Sequence, residues 1–165
     1  MSAELVFKNR QRARSLNIPL LRRITRHLLR EEFAVTDYEL CFHLVTEKEM
    51  AEVNWQFLQH KGSTDVITFD HVKAKGGSSA LHGEIFISIP DAVKQARAFA
   101  GTWQSELMRY VIHGLLHLRG HQDLEPAARR VMKREENRLL KKLAVQFCFR
   151  ELARRRDLSS AIRHS

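Results

Sequence analysis

The sequence predicts an α+β fold in which about five helices surround a small four-stranded sheet. Along the 165 residues, short β-branched and aromatic runs typical of strands alternate with longer stretches whose apolar residues recur three and four positions apart, as in helices. Hydrophobic residues make up 44% and charged residues 28% of the chain, which is the balance expected for one buried core. With 7 glycines and 3 prolines, the composition argues against a fibrous or disordered chain.

The first half of the chain alternates two expected strands with two expected helices. Residues 4–8 (ELVFK) predict a strand, and residues 20–30 carry a leucine and isoleucine stripe flanked by arginines, which predicts an amphipathic helix. Residues 38–45 (YELCFHLV) alternate as a strand does. Thr46 and Glu49 form a capping box that should begin the second helix, which we expect to end near residues 60–62.

Two more strands follow, at residues 65–70 (DVITFD) and 84–89 (EIFISI), because both runs are rich in β-branched and aromatic residues. The segment 72–81 between them contains adjacent glycines and serines and is expected to be an exposed loop. Residues 90–100 predict a helix with proline in its first turn.

Two further helices complete the predicted fold. Thr102 can cap a helix that runs to about Arg119, with Gly120 as its stop signal. This helix leaves little polar face, so we expect it to be buried. Pro126 opens a long basic helix that we expect to end before Asp157.

The charge of the chain is strongly positive and unevenly distributed. The net charge is +9, with +5 on residues 1–36, −3 on residues 37–124 and +7 on residues 125–165. Two basic ends around a mildly acidic middle favour a polyanionic partner, either a nucleic acid or an anionic membrane surface. The alternative is that arginine and lysine only keep two amphipathic helices in solution.

Cysteine content and hydropathy limit the class of protein. Cys41 and Cys148 are too few for a disulfide framework or a four-cysteine zinc site. No apolar run approaches the roughly 20 residues that a membrane span requires, and the start of the chain lacks the apolar segment of a secretory signal. We therefore expect a cytoplasmic protein without a membrane partner.

The residues that indicate chemistry follow one another near the end of the fourth helix. His113 and His117 are four positions apart, share a face of the helix and can converge on one metal ion. That face is otherwise made of leucine, isoleucine, valine and methionine, where a polar group needs a partner. His121 and Asp123 follow directly as further donors. The alternative is that both histidines are core residues bonded to the backbone.

The third ligand can be chosen from the geometry of the turn. In a continued helix, residue 121 would lie about 12 Å along the axis from residue 113, too far to share an ion with it. Gly120 permits the left-handed turn that brings the chain back. Asp123, three residues later, has more room to return than His121, so we favour Asp123 and keep His121 as the alternative third ligand.

The spacing also indicates which reaction is disfavoured. Zinc peptidases with the HExxH motif carry their general base at its second position, which in this chain is Gly114. Three protein ligands with one open position still describe a catalytic zinc site that can activate water or polarise a phosphoryl oxygen. Glu106 on the same helix is either a partner of a ligand or an ordinary first-turn acid.

At these residues the sequence resembles the YbeY family of bacterial rRNA maturation factors. The family pattern HGxLHLxGYDH is matched by HGLLHLRGHQD at residues 113–123. A helix that contains Asn54, followed by TDVITF at residues 64–69, resembles a second family block. Gly83, Glu84 and Ile85 resemble a third block, at the start of a strand.

The resemblance implies a small mixed sheet wrapped by helices, one Zn²⁺ ion per chain and a metal-dependent endoribonuclease. It covers about residues 4–140, so we expect one domain over residues 1–165 with a basic C-terminal extension over about 141–165. The implied role is cleavage of single-stranded RNA in 16S rRNA 3′-end maturation and ribosome assembly. The expected partners are then rRNA and the ribosomal small subunit or its assembly proteins.

This chain departs from the family pattern at three positions. Asp123 stands where the family usually has its third histidine, His121 where it usually has tyrosine, and Leu58 where it commonly has an arginine that contacts RNA phosphate. Leucine cannot pair with a phosphate. Three cations are candidates to replace that arginine: His60, Lys61 and Arg119.

The leading hypothesis is therefore a hydrolase in which His113, His117 and Asp123 act through the metal. Basic residues of both ends would follow the RNA backbone, with Arg22, Arg23, Arg26, Arg129, Arg130, Lys133 and Arg134 as candidates. The alternative is a non-catalytic zinc-containing assembly factor that binds rRNA or a ribosomal protein, which Leu58 favours. A hydrolase of a non-nucleic substrate fits the metal motif but leaves the charge of +9 unexplained.

Overall fold

The fold is built on a mixed four-stranded sheet, seen in a computed structural model that describes residues 1–58, 65–72 and 80–154. Its strands are β1 (Ala3–Asn9), β2 (Tyr38–Val45), β3 (Val66–Asp70) and β4 (Leu81–Ser88). They lie in the order β1-β2-β4-β3, with β1, β2 and β4 parallel and β3 antiparallel to β4. The predicted α+β fold class with a small mixed sheet is confirmed.

Five α-helices accompany the sheet within the described residues, as predicted. They are α1 (Ile18–His27), α2 (Glu47–Leu58), α3 (Ile89–Ala98), α4 (Trp103–Leu118) and α5 (Pro126–Gln146). Short turns extend two of them, a π-helical turn at Leu28–Glu32 after α1 and a 3₁₀ turn at Phe149–Leu152 after α5. No helix in the described part of the chain combines the length and apolar character needed to cross a bilayer.

Side chains alternate between the two faces of the sheet along β2, which shows what each face contacts. Leu40, Phe42 and Leu44 point into the larger core cluster, which also contains the buried faces of α1, α4 and α5. The opposite face carries Cys41, His43 and Val45, and α2 covers only its β3–β4 side through a smaller apolar cluster. One face is therefore a core, while the other is partly open.

Predicted helix starts are confirmed by their hydrogen bonds. The hydroxyl of Thr46 accepts the Glu49 N–H at 3.1 Å, and the hydroxyl of Thr102 accepts the Ser105 N–H at 3.2 Å. These caps fix the starts of α2 and α4. The predicted end of α2 near residues 60–62, and most of the predicted loop 72–81, lie outside the described residues.

One predicted boundary was wrong, and another was only loosely placed by the sequence. The last helix ends at Gln146, which is before Asp157 as expected, because Phe147 packs against His27 and Leu152 is fully buried, which pulls the chain back onto the core. β4 begins at Leu81 rather than at residue 84, because Leu81 pairs with Tyr38 of β2 and its N–H bonds the Asp37 carbonyl. In both cases contacts that are distant in sequence set the boundary of the helix or strand, which the local sequence pattern does not determine.

Candidate metal centre

Helix α4 lies against the sheet and carries both histidines of the HxxxH motif. Gly114 faces β4 so closely that a Cβ atom at this position would lie 2.8 Å from the Ile85 Cγ2 atom. The position at which zinc peptidases carry their general base therefore has no room for a side chain. His113 and His117 lie on the flank of α4 that leads to solvent, and each is partly exposed.

The end of α4 turns the chain back toward these histidines. Gly120 adopts φ of +103°, and its N–H bonds the His117 carbonyl at 3.0 Å. The His121 N–H bonds the Leu116 carbonyl at 3.0 Å, which completes a Schellman motif. The left-handed glycine expected from the sequence thus directs the chain so that Asp123 faces the two imidazoles.

Three donor atoms converge at this turn. The Nε2 atoms of His113 and His117 are 3.1 Å apart, and Asp123 Oδ2 lies 3.8 Å from the first and 3.6 Å from the second. Tetrahedral coordination with bonds of about 2.1 Å places donors about 3.4 Å from one another. The observed separations bracket that value, so one ion fits among the three donors.

The other nitrogen of each ring is already engaged. The His117 Nδ1 atom lies 3.1 Å from the His121 carbonyl oxygen, which only accepts, so Nδ1 must carry the proton. The His113 Nδ1 atom lies 2.9 Å from Oε2 of Glu136, a buried carboxylate, and donates to it. With the proton of each ring on Nδ1, both Nε2 atoms face the same point, an arrangement that a cation stabilises.

Burial and neighbouring groups set the protonation of His117 and Glu136. Burial lowers the pKa of His117, and the nearby His113 lowers it further, so the ring stays neutral near pH 7. Burial alone would raise the pKa of Glu136, but hydrogen bonds from His113 and Arg109 outweigh it and lower the pKa. The carboxylate is therefore ionised and able to hold the His113 tautomer.

A cavity of about 510 Å³ opens beside the donors. Its walls come from the start of β3 and from α3, α4 and α5, and His113 and Asp123 form part of its lining. Three cations also line it: Arg109, Arg129 and Lys133. Arg109 bonds Glu136 and Asn137, and the Lys133 Nζ atom lies 3.9 Å from Oε1 of the same Glu136, with its side chain 62% exposed. Four carboxylates line the cavity as well, those of Asp65, Glu106, Asp123 and Glu136, so its charge is mixed. The cavity thus places individual cations, which can pair with a phosphate, beside the three-donor cluster.

The structure also shows what the alternative third ligand does. His121 approaches His117 with its backbone carbonyl, while the group of side chains able to share one ion consists of His113, His117 and Asp123. Among the described residues three side chains meet in this group, which leaves room in a tetrahedral site for water or substrate. The predicted convergence of the first two histidines with residue 123 is present in the fold.

The cation candidates from the sequence are placed differently. The Arg119 guanidinium bonds the Phe33 carbonyl at 3.2 Å and stacks over the Phe33 ring, and Arg119 is absent from the lining of the cavity. His60 and Lys61 lie outside the described residues. Leu58 is the last described residue of α2 and has 47% of its surface exposed. Glu106 lines the cavity and pairs with Arg109 at 3.9 Å rather than with a donor of the cluster.

Sequence reasoning missed two residues of the site, Glu136 and Arg109. Glu136 is 4% exposed, although it is charged, and it lies on the buried stripe of α5 with Met132, Leu139, Leu140 and Leu143. A charged residue at a position that helix periodicity assigns to the buried face predicts a buried partner, and this signal is present in the sequence. Its partner could not be read from α5 alone, because the packing of α4 against α5 decides it.

Comparison with known proteins places this chain among named relatives. The family model described as "Endoribonuclease YbeY" matches residues 6–144. A relative from Bacteroides thetaiotaomicron, named Endoribonuclease YbeY, is 37% identical over 102 residues, which span 62% of this chain and 72% of the relative. One from Endomicrobium trichonymphae, with the same name, is 33% identical over 125 residues, or 76% of this chain and 84% of the relative.

A solved structure supports the architecture independently. The solution structure of TM1509 from Thermotoga maritima superposes with a TM-score of 0.61 at 24% identity, over 87% of this chain and 89% of that one. At this identity the likeness supports the fold alone. The match of the family model over most of the chain, with relatives named as hydrolytic nucleases, shows that this chain belongs to the endoribonuclease YbeY family.

Proposed function

We propose that this protein is a zinc-dependent, single-strand-specific endoribonuclease that acts in rRNA processing, including 16S rRNA 3′-end maturation, and in ribosome assembly. The observation that carries the proposal is the three-donor cluster of His113, His117 and Asp123 at the edge of a cavity whose wall includes Arg129 and Lys133. Family membership supports RNA as the substrate.

The donor set favours zinc over harder cations. Two imidazole nitrogens and one carboxylate are the ligands of catalytic zinc sites, whereas Mg²⁺ and Ca²⁺ prefer oxygen donors. When bound, the ion would supply a Lewis acid for a phosphoryl oxygen and would acidify water. The protein supplies the rest through its own side chains.

Glu136 positions His113 and keeps its Nε2 lone pair directed at the donor cluster. Lys133 and Arg129 place positive charge on the cavity wall, where a phosphodiester can lie beside the donors. The Arg129 Nε atom also bonds the Asp123 carbonyl at 3.0 Å and so holds the returning loop against α5. Arg129 would therefore both bind the RNA backbone and hold the segment that carries Asp123 in place.

A second candidate function is a zinc-containing assembly factor that binds rRNA or a ribosomal protein without cutting it. Leu58 favours it, because an exposed leucine occupies the position where the family resemblance places an arginine. The hydrolase is favoured by the number of donors. Three side chains of the described residues form the group, which leaves one coordination position open, whereas a structural zinc site is closed by four ligands.

The deciding experiment measures zinc content and RNA cleavage together in the wild type, His117→Ala, Asp123→Ala and His121→Ala. The substrates are a single-stranded RNA covering a 16S rRNA 3′ end and its duplex form. We expect the wild type to hold zinc and to cleave the single strand. His117→Ala and Asp123→Ala should each bind one zinc ion fewer than the wild type and should lose cleavage, while His121→Ala keeps the zinc content and the cleavage of the wild type because its backbone carbonyl remains.

Other results would favour other functions. A wild type that holds one zinc, binds RNA in a salt-dependent way and cuts nothing would support the assembly factor. Loss of zinc in His121→Ala with retention in Asp123→Ala would overturn the assignment of the third ligand. A wild type without bound metal would leave His113 and His117 as core residues and contradict both functions.

A further inference from the structure

The partly open face of the sheet carries a second group of metal-binding side chains. Cys41 and His43 lie two residues apart on β2 and therefore on the same face, and the strand register places Glu84 of β4 directly beside Cys41. One donor atom from each of the three residues lies within 4.8 Å of the other two. These residues belong neither to α4 nor to the cavity described above.

We propose that Cys41, His43 and Glu84 form a second site for a divalent transition metal of the zinc type. A thiolate, an imidazole and a carboxylate are zinc ligands, whereas a thiolate and an imidazole are poor ligands for Mg²⁺ and Ca²⁺. Three protein donors leave a fourth position. His71, which follows β3, can approach that position, because its Nε2 atom lies 3.2 Å from Oε2 of Glu84.

The ring of His43 is held in place for this role. It is 6% exposed and stacks on Phe86 with ring centroids 4.2 Å apart and an interplanar angle of 7°. Its Nε2 atom lies 2.8 Å from Oε1 of Glu84. A ring fixed by stacking on Phe86 and by the carboxylate of Glu84, both on β4, loses little freedom when it binds an ion.

An ion enters this group by replacing protons. Arg10 Nη2 lies 3.0 Å from His43 Nδ1 and only donates, so the ring proton sits on Nε2 and is shared with Glu84. On binding, that proton moves to Nδ1 and the Cys41 thiol proton passes to solvent. Arg10 can release His43, because its Nε atom also pairs with both carboxylate oxygens of Glu49, at 3.1 Å each.

A cysteine nucleophile is a poorer interpretation of the same residues. Activation of the Cys41 thiol would require an imidazole nitrogen free to accept its proton. Both nitrogens of His43 are engaged, one by Arg10 and one by Glu84. Glu84 and His71 are 39% and 53% exposed in their side chains, so an ion can reach the group from solvent and the carboxylate has room to reorient.

Cobalt(II) tests this site with a signal that the first site cannot produce. A thiolate ligand gives Co²⁺ an intense near-ultraviolet charge-transfer band, whereas two histidines and an aspartate do not. The full chain is titrated with Co²⁺ as wild type, Cys41→Ser and Cys148→Ser, where Cys148 is the exposed second thiol. We expect the band in the wild type and in Cys148→Ser, and its loss in Cys41→Ser.

The number of bound ions provides the second readout. The His117→Ala protein should still hold one zinc ion, and His117→Ala combined with Cys41→Ser should hold none. Circular dichroism shows whether each variant folds. If Cys41→Ser fails to fold, Glu84→Gln is used in its place, because it keeps the size and hydrogen bonding of the side chain. We expect Glu84→Gln to lower the affinity of this site for Co²⁺ by more than tenfold. A wild type without the thiolate band, or a band that persists in Cys41→Ser, would overturn the second site.

Discussion

At the scale of single residues, Glu136 links the donor cluster to the rest of the protein. Its two oxygens accept hydrogen bonds from His113 and Arg109, which makes it the partner of one metal-binding ring and of one cavity cation. A carboxylate that accepts from the second nitrogen of a metal-binding histidine fixes the ring and raises its basicity. Under the proposed function, Glu136 would therefore affect metal affinity through His113 without itself being a ligand.

Glu136→Gln tests this role while keeping size and burial. We expect the affinity for Zn²⁺ to fall about 10- to 100-fold, because the neutral amide no longer favours the proton on His113 Nδ1. Competition with a chelator of known affinity measures the change. Glu135→Gln is the matched control, since Glu135 neighbours it in sequence but pairs with Arg138 on the surface. Equal affinities of the two variants would contradict the role of Glu136.

The predictability of the site differs from residue to residue. His113, His117 and Asp123 could be grouped from the sequence, because helix periodicity and one glycine turn fix their relative positions over eleven residues. Glu136 is separated from His113 by 23 residues and lies on another helix, so no local rule relates the two. Arg109 was missed for the same reason, since its role depends on the contact between α4 and α5.

At the scale of elements, α4 approaches β4 where Gly114 meets Ile85, and a Cβ atom would come within 2.8 Å of Ile85. Gly114→Ala should lower the free energy of unfolding by about 1–3 kcal/mol, because overpacking outweighs the helix propensity of alanine. Urea unfolding measures this. Gly101→Ala is the control, because a Cβ there would meet nothing within 4 Å. A Gly114→Ala protein as stable as the wild type would show that α4 can shift away from β4.

The elements also show where local patterns stop being informative. Helices α2 and α4 each begin directly after a threonine whose hydroxyl accepts a backbone N–H three residues later, so both starts could be placed from the sequence. The end of α5 depends on Phe147 and Leu152 finding the core, and the start of β4 depends on pairing with β2. Those contacts are distant in sequence, so local propensity placed the end of α5 only as lying before Asp157 and began β4 three residues too late.

At the scale of the whole molecule, the metal-free protein should lose stability as the pH falls. Burial lowers the pKa of His43 and of His117 below the ordinary value of 6.5, so the folded chain takes up protons less readily than the unfolded chain. The contribution of these two residues is full above that value and is lost as the pH falls below it. Urea unfolding between about pH 7.5 and about pH 5.5 should show the decrease.

Two variants connect that decrease to the histidines. His43→Gln and His117→Gln should each make the unfolding free energy less dependent on pH over the same range, because each removes one group that binds a proton more readily when unfolded. Glu84 and Glu136 have lowered pKa values as well, so a further decrease is expected below about pH 4.5. Unfolding free energies that rise on acidification to about pH 5.5 would contradict this account.

The distribution of positive charge leads to a prediction about RNA that rests on the proposed function. Lys133 lines the cavity beside the donors, whereas the exposed Arg23 lies on α1 and is absent from the lining. Lys133→Ala and Arg23→Ala each remove one positive charge, so both change the net charge of the chain equally. A difference between them must therefore come from the position of the charge.

We expect Lys133→Ala to weaken binding of single-stranded RNA and to reduce the slope of log affinity against log salt concentration by about 0.7, the value for one lost phosphate contact. Arg23→Ala should leave that slope nearly unchanged. Fluorescence anisotropy at several salt concentrations measures both variants. Equal slopes for the two would mean that RNA responds to the overall charge of the chain rather than to the cavity. If only Arg23→Ala reduced the salt slope, the RNA would contact α1 rather than the cavity. Cleavage at the His113, His117 and Asp123 cluster would then be contradicted.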